Sequence, residues 1–312
     1  MDRGKRGAVL RLRRVSLQNV RCFSLLSLDL TYLDGSPLDQ VVVYGDTGSG
    51  KSAVLAAVAH ICELSDDKAL SEAYGSRLVR SGLKEAAIKL EFQLGAATVD
   101  AKLGLSSTDS PWLRPVTQVM QSLPTPRLAW PPRGRIAYVA MQTKLDLRHK
   151  LQQLLWRSQR LGRDEKGRVL LHPALQRLSE LFHRLDPHQR SLLFLRDSDE
   201  PWLLAGDVSP RLWDLASLQE LAEIHQAPAL CTTWLSDGER AIFDLAAQLV
   251  LREVVPEIVL LDEPAPALAE ERRAQLIRAL RQSLPTTQII VATSSRAILR
   301  SVHDYERLTI KQ

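Results

Sequence analysis

A glycine-rich loop between a short strand and a helix constrains the fold of this chain more than any other feature. Residues 41–44 (VVVY) are rich in β-branched side chains and predict a strand buried in a sheet. Residues 52–64 have the amphipathic spacing of a helix. The loop between them fits G-x-x-x-x-G-K-[ST], whose backbone N–H groups converge on phosphate oxygens at a helix N-terminus. Its residues are Gly45, Asp46, Thr47, Gly48, Ser49, Gly50, Lys51 and Ser52.

Two side chains of this loop carry the chemistry that a nucleotide needs. Lys51 supplies a positive charge to the β- and γ-phosphates, and the Ser52 hydroxyl is placed to ligate Mg²⁺. A glycine-rich turn can match the pattern by chance, but the strand before it and the helix after it favour a phosphate-binding loop. The sequence therefore predicts a nucleotide site with ATP and Mg²⁺ as cofactors.

A second chemical signal is an apolar run over residues 257–261 that ends in two acids. At the carboxyl end of such a strand, Asp262 is placed to hold Mg²⁺ in its second coordination shell or through water. Glu263 is placed to orient or deprotonate an attacking water. The alternative is an acidic turn that only caps a strand, and the phosphate-binding loop upstream favours the catalytic interpretation.

A third signal, residues 235–240 (LSDGER), precedes an apolar helix. Ser236 and Gly238 form a second helix N-terminus suited to receive a phosphate through a hydroxyl and an unshielded backbone. One nucleotide does not need two such helix ends, but two copies facing head to tail do. The motif therefore predicts a homodimer, or a higher homo-oligomer, with ATP sandwiched between copies. Ser236 and Glu239 also fit a plain capping box, and this alternative can coexist with phosphate binding.

The remaining periodicities predict an α/β chain. Apolar and polar residues alternate over residues 11–30 and 86–105, which is typical of strands. Gly95 predicts a turn within the second stretch, so residues 86–105 are expected to form a hairpin. Leucine spacing predicts helices over residues 145–161 and 173–185. From residue 192 onward predicted strands and helices alternate, which is typical of a parallel α/β sheet. These last strands are 192–195, 202–204, 257–261 and 288–292, with helices near 238–252 and 270–283.

Together these motifs resemble those of the ABC-type ATPase heads of the SMC, RecF and OLD-like group. The matching stretches are 17–23 (LQNVRCF) for the opening motif, 45–52 for Walker A, 235–239 for the signature, 260–264 for Walker B and 285–293 for the last strand.

The resemblance implies a P-loop NTPase with a mostly parallel sheet, an antiparallel β subdomain and an inserted helical lobe. It implies a single head over residues 1–312. The sequence contains neither a Toprim-like acidic cluster nor a His-Asn-His arrangement, so no appended nuclease domain is expected. The core parts would be residues 10–65 and 230–312, and residues 66–229 would hold the β hairpin and the helical lobe.

The resemblance also implies roles for further residues. Arg21 would reach the nucleotide phosphates, and Gln142 would be the loop glutamine that senses Mg²⁺ and the attacking water. Two departures matter: Ser294 stands where the group places a histidine after the last strand, and residues 265–269 (APALA) lack the usual aspartate. A hydroxyl cannot carry charge or shuttle a proton as imidazole does, so we expect slow hydrolysis or completion of the site by a partner.

Charge suggests where partners bind. The net charge is +5, and residues 144–168 alone hold eight Lys or Arg against three Asp or Glu. This basic segment predicts contact with DNA or with a protein partner, and a solvated helix face is the alternative. Small heads of the resembled group often act beside a separately encoded effector, for example in anti-phage defence or DNA repair.

Several observations bound the location and the function class. The three cysteines are far apart, and no apolar run of 18 residues exists, so a cytoplasmic protein without a membrane span is expected. Two alternatives stay open. One is a nucleotide-gated scaffold that scarcely hydrolyses ATP. The other is the ATPase subunit of a membrane transporter, which the long spacing between Ser52 and Ser236 disfavours.

Overall fold

The computed structural model divides the chain into two compact units. It describes residues 9–63, 78–106, 135–140, 147–160, 171–194, 200–204, 230–252 and 255–310. The first unit comprises Met1–Ala140, Pro256–Pro264 and Pro285–Gln312, and the second comprises Met141–Val255 and Ala265–Leu284.

The described residues form strands and helices in the following order. The strands are β1 (Leu10–Val20), β2 (Phe23–Asp29), β3 (Gln40–Tyr44), β4 (Glu85–Leu94), β5 (Ala97–Ser106), β6 (Ile136–Ala140), β7 (Ser191–Leu193), β8 (Trp202–Leu204), β9 (Leu230–Cys231), β10 (Ile258–Asp262), β11 (Gln288–Thr293) and β12 (Arg307–Thr309). The helices are α1 (Lys51–Glu63), α2 (Leu147–Arg160), α3 (Pro173–Leu185), α4 (Asp237–Val250), α5 (Glu270–Ser283) and α6 (Arg296–Arg300). None of the helices described is long and apolar enough to cross a membrane.

A five-stranded parallel sheet forms the centre of the first unit, in the order β12-β3-β11-β10-β6. Its inner strands are almost continuously apolar because both faces of a parallel sheet are buried. In register, Thr293 lies opposite Tyr44, and Asp262 lies between Ala140 and Ala292. The strands therefore end together, so the residues that follow β3, β10 and β11 lie at the same edge of the sheet.

An antiparallel sheet completes the first unit, in the order β2-β1-β4-β5. Its β4–β5 hairpin corresponds to the alternation predicted at residues 86–105, and β4 pairs with β1 along most of its length. The side-chain amide of Gln288 accepts a hydrogen bond from the Leu12 N–H at 2.7 Å and donates one to the Leu12 carbonyl at 2.9 Å. Leu12 lies where the pairing of β1 with β4 changes register. This buried glutamine therefore satisfies the N–H and C=O groups of Leu12 inside the core.

Helices dominate the second unit. α3 begins with Pro173, and the ring of His172 accepts a hydrogen bond from the Ala174 amide as an N-cap. The apolar face of α3 packs on α4, where the rings of Phe182 and Phe243 meet edge to face at 6.1 Å.

The strands predicted at 192–195 and 202–204 do not join the parallel sheet, so this part of the sequence prediction is wrong. They are β7 and β8, which pair antiparallel with each other, and β8 pairs with β9, in a separate three-stranded sheet of the second unit. An antiparallel pair needs only a short connection, whereas a parallel pair needs a long crossover. Apolar patterning identifies a strand but does not choose its partner.

The two units also follow a different division from the one inferred from the motifs. The β4–β5 hairpin belongs with the phosphate-loop core, and residues 230–255 and 265–284 belong with the helical part. The sequence thus places the Ser236 motif in a core part, while in the structure it belongs to the second unit.

Candidate nucleotide-binding site

The loop of residues 45–52 connects β3 to α1 and is shaped by close packing. Gly50 has φ +96°, and a Cβ atom there would lie 2.4 Å from Cys22 Sγ and 2.5 Å from the Phe23 ring. A Cβ at Gly45 would lie 2.8 Å from the carbonyl of Ile310. Both positions therefore require glycine, and the loop curls tightly over the start of α1.

The cation of the loop lies inside it. Lys51 is 5% exposed, and its ammonium donates hydrogen bonds to the carbonyls of Gly45 at 2.8 Å and Asp46 at 2.9 Å. The loop therefore holds a positive charge where its amides and the N-terminus of α1 also favour an anion.

Arg21 lies beside this loop, at the turn between β1 and β2. Its backbone is in the left-handed region, with φ 47°, and its amide donates to the Leu78 carbonyl at 2.7 Å. Together with Cys22, Gly48, Lys51 and Ser52 it lines a cavity of about 300 Å³. The structure thus brings Arg21 to the phosphate loop, and its contact with phosphates stays a prediction.

Asp262 meets the loop at the end of β10. Ser52 Oγ donates to Asp262 Oδ1 at 2.8 Å, and the Tyr138 hydroxyl donates to Oδ2 at 3.2 Å. Burial is the main cause that raises the pKa of Asp262, and neighbouring Glu263 raises it further, while both hydrogen bonds and Lys51 act against the rise. The carboxylate is thus costly to keep charged, and a cation would relieve that cost.

The oxygens of Ser52 and Asp262 suit a hard divalent cation such as Mg²⁺. Among the residues described, no group of three or more His, Cys, Asp and Glu side chains converges as a metal site. In phosphoryl-transfer sites Mg²⁺ usually binds through one or two protein groups together with substrate phosphates and water, and Ser52 and Asp262 can supply such groups. The side chains present therefore fit the predicted metal.

Glu263 is held in a strained backbone conformation, with φ 45°. Its amide donates to the Ala292 carbonyl at 2.9 Å. Its carboxylate accepts from the Thr293 hydroxyl at 3.1 Å and from the backbone amide of Ser294 at 2.9 Å. The side chain predicted to orient water is therefore fixed by the end of β11.

Ser294 lies next to Glu263, and the contact runs through its backbone. Its amide binds the carboxylate, and the residue is exposed. Any residue except proline could make this bond, so the structure brings the two predicted residues together without assigning a role to the Ser294 hydroxyl. Sequence reasoning missed Thr293, although a hydroxyl at the end of a strand next to Walker B is a usable signal.

The Ser236 motif starts α4 in the second unit. Ser236 donates to Glu239 Oε2 through its backbone amide at 2.9 Å and its hydroxyl at 2.6 Å, and the Glu239 amide donates to Ser236 Oγ at 3.4 Å. The predicted capping box is thus present. A Cβ at Gly238 would lie 2.8 Å from Leu268 Cδ2, so glycine permits the first turn of α4 to approach the side chain of Leu268.

An arginine that sequence reasoning missed supports this box. Arg190 donates to Glu239 Oε1 at 2.7 Å and to both oxygens of buried Asp186 at 2.8 Å. Partial burial of Glu239 acts to raise its pKa, but the hydrogen bonds from Ser236 and Arg190 outweigh it and lower that pKa. The charged carboxylate therefore holds the serine in a fixed position.

A pocket of about 690 Å³ opens at this helix end, entirely within the second unit. Its volume lies within the usual range for ligand sites. Ser236 and Gly238 line it together with the exposed basic side chains of Arg184 and Arg272. Two of its three acids, Asp186 and Glu239, are paired with Arg190, and the third, Asp237, is exposed. The two exposed arginines therefore outnumber the one acid that Arg190 does not pair.

Two sequence predictions lie wholly or partly outside the described residues. Gln142 is one of them. Of the basic segment 144–168, the structure describes helix α2, on which Arg157 is exposed; the side chains of Arg148 and Arg160 are not among those described.

Comparisons with known proteins rest on structure. No protein-family model and no curated protein matches this sequence. The SMC head domain from Thermotoga maritima matches with a TM-score of 0.54 and 15% identity, over 94% of this chain and 92% of that one. An SMC head bound to the C-winged helix domain of ScpA matches with a TM-score of 0.57 and 16% identity, over the same shares. The recombination mediator RecF, solved as RecF-ATPrS, matches with a TM-score of 0.51 and 12% identity, over 95% of each chain.

These identities are too low to carry function, but the coverage is nearly complete in both directions. The predicted fold class is confirmed. The chain has the fold of an ABC-type ATPase head of the SMC and RecF kind.

Proposed function

We propose that this chain is an ATPase that binds ATP between two copies of itself and acts as a conformational switch or clamp. One observation carries the proposal: the loop of Lys51, the Ser52–Asp262 pair and Glu263 all lie at the same edge of the parallel sheet. These are a phosphate cradle, a metal site and a group that orients water, which phosphoryl transfer to water requires.

Each side chain has a role that follows from its position. Lys51 and the amides of residues 45–52 bind the β- and γ-phosphates, and Arg21 adds a second positive charge from the β1–β2 turn. Mg²⁺, held through Ser52 and Asp262, would neutralise charge on the phosphate oxygens. Glu263, fixed by Thr293 and the Ser294 amide, orients the attacking water and accepts its proton.

The Ser236 motif of a second copy would complete the site. Its serine hydroxyl and the N-terminus of α4 face a pocket with exposed basic side chains, which suits a γ-phosphate held by another protomer. ATP then joins two copies, and hydrolysis releases them. The output of such a cycle is a change of assembly, which a partner effector or DNA can sense.

Turnover is proposed to be slow. Ser294 withholds a charged or proton-shuttling contact from the transition state, and residues 265–268 provide no acid in the loop after Glu263. The loss of one preorganised electrostatic contact typically costs about 3 kcal/mol, roughly a hundredfold in rate. The second candidate is a scaffold that binds ATP and scarcely hydrolyses it. It would follow from the same two departures if they reduced the rate of hydrolysis much further. The transporter alternative is the weakest, because the spacing between Ser52 and Ser236 is long for such a subunit.

Partners are proposed from the charge and from the comparisons. One matching SMC head was solved with a winged helix domain of ScpA, which supports binding of a separate effector here. Helix α2 carries Arg157 on its exposed side and no acidic residue, which suits DNA or an acidic protein surface. A cytoplasmic role in DNA repair or anti-phage defence fits these partners.

Light scattering with and without ATP tests the proposal. Glu263→Gln keeps the shape of the side chain but removes its charge, so it should slow cleavage and trap the ATP-bound dimer at twice the monomer mass. Ser236→Arg in the same background should prevent that dimer while leaving ATP binding intact. An unchanged mass with ATP in Glu263→Gln, together with full ATPase activity of Ser236→Arg, would show that the sandwich is wrong.

A further inference from the structure

The two oxygens of the Asp262 carboxylate have different neighbours. Oδ1 accepts from Ser52, a residue of the phosphate loop, at 2.8 Å. Oδ2 accepts from the hydroxyl of Tyr138 at 3.2 Å. The proposed function uses only the first contact, so the second needs its own explanation.

Tyr138 reaches Asp262 because of strand register. β6 is the edge strand beside β10, and Tyr138 lies opposite Leu260, two residues before Asp262 on the same side of the sheet. Its ring packs against the apolar core of the first unit, and its hydroxyl lies at the sheet edge. An aromatic side chain spans such a diagonal, and a packed ring keeps the hydroxyl in place.

The tyrosine therefore fixes the orientation of the carboxylate. Because Oδ2 already accepts from Tyr138, a cation at Ser52 meets Oδ1 first, and binding of both oxygens to the cation would compete with the Tyr138 hydrogen bond. We propose that Tyr138 is a positioning residue that makes Asp262 a one-oxygen partner of the metal and so favours Mg²⁺ over Ca²⁺. This inference rests on the proposed function, because it concerns the metal of the same site.

The physical reason lies in how the two ions bind oxygen. Mg²⁺ is small and demands near-ideal octahedral geometry, which a carboxylate that chelates with both oxygens distorts. Ca²⁺ accepts six to eight oxygens in flexible arrangements and readily takes both oxygens of a carboxylate. Removal of the Tyr138 hydroxyl frees Oδ2, which should weaken the binding of Mg²⁺ and leave the binding of Ca²⁺ nearly unchanged.

Tyr138→Phe tests this inference, because it deletes the hydroxyl and retains the packed ring. The readout is binding of a fluorescent N-methylanthraniloyl ATP analogue to the full chain, titrated with Mg²⁺ or Ca²⁺. The apparent Mg²⁺ affinity should fall about tenfold, the usual scale for loss of an outer-shell partner. The Ca²⁺ affinity should change less than about threefold. Tyr305→Phe, on an exposed ring far along the chain, is the matched control and should change neither.

The outcomes are separable. Equal losses for both ions, or no loss for either, overturn the role of Tyr138 and leave the nucleotide site standing. If the wild-type chain fails to bind the analogue in the presence of either ion, the proposed function is overturned, and this inference with it. A drop in the Mg²⁺ to Ca²⁺ affinity ratio in Tyr138→Phe alone supports the assignment.

Discussion

Two serine–carboxylate pairs, one in each unit, use the same hydrogen bond for different purposes. In the first unit Ser52 donates to Asp262 at 2.8 Å across 210 positions of sequence, and in the second Ser236 donates to Glu239 at 2.6 Å across three. Tyr138, a neutral group, supports Asp262, whereas Arg190, a cation, supports Glu239.

The supporting group decides the electrostatics of each pair. Burial raises the pKa of Asp262, and no arginine neutralises it among the contacts described, so this carboxylate is poised for a cation. The pKa of Glu239 is lowered because the bonds from Ser236 and Arg190 outweigh partial burial. The first pair is thus the one that we propose binds a cation, whereas the Glu239 charge of the second pair is already balanced by Arg190 and holds Ser236 in place.

The largest expected effect concerns the first region. If Lys51 binds the β- and γ-phosphates as proposed, Lys51→Ala removes two charge-assisted hydrogen bonds, each worth about 2 kcal/mol, so ATP affinity should fall roughly a thousandfold. Calorimetry with ATP and Mg²⁺ measures it. Lys102→Ala, which removes an exposed lysine of β5, is the control. Unchanged affinity in Lys51→Ala would contradict the assignment of the phosphate loop.

Arg190→Met should instead damage the second region. It leaves Asp186 buried without its partner, so the free energy of unfolding should fall by about 3 kcal/mol, as measured by urea denaturation. The ATP affinity of the monomer should not change, because Arg190 bonds Asp186 and Glu239, which belong to the other unit from the phosphate loop. Arg190→Met combined with Asp186→Asn should recover much of the stability, and failure to do so would show that Arg190 acts by packing alone.

Ser294→His tests whether the first region lacks a catalytic contact. If Ser294 faces the γ-phosphate, an imidazole there should raise steady-state turnover about tenfold with little change in affinity, a part of the roughly hundredfold deficit. Ser301→His, at the C-cap of α6, is the control and should leave turnover unchanged. Brisk turnover by the wild type alone would show that serine is no handicap at this position.

The smallest effects are on the pH dependence of stability, and they have opposite signs. Glu239, with a lowered pKa, stabilises the fold above its ordinary pKa, and this stability is lost as pH falls through its folded pKa. Asp262, with a raised pKa, costs stability as pH rises from its ordinary pKa through its folded value. At pH 7 Glu239→Gln should therefore destabilise and Asp262→Asn should stabilise, each by less than about 1 kcal/mol.

Urea unfolding of both variants at pH 7 and near pH 4 measures these differences. Both effects should shrink as pH falls, but part of the Glu239 effect should remain near pH 4, because its lowered pKa keeps some of the folded carboxylate charged there. A change of the same sign in both variants would contradict the contrast between the two pairs.

Motifs and local hydrogen bonds were within reach of sequence reasoning. The capping box of Ser236 and Glu239 spans three residues, so the spacing alone predicts it, and the structure contains it. The phosphate loop between β3 and α1 and the two acids at the end of β10 also follow from local pattern. The fold class was predicted because these motifs occur in one order, and the SMC and RecF structures confirm it.

Tertiary structure decided which distant groups meet. Tyr138, Thr293 and Arg190 lie 124, 30 and 49 positions from the acids they bind, and no periodicity encodes those distances. The partners of β7 and β8 were equally undetermined, because an apolar run specifies burial and not the neighbouring strand. A helix cap is determined by the residues within one turn of chain, whereas strand register and long-range pairing emerge only when the whole core packs. For that reason the sequence alone identified the local motifs and their chemical groups, whereas tertiary packing determined which distant residues hold each carboxylate.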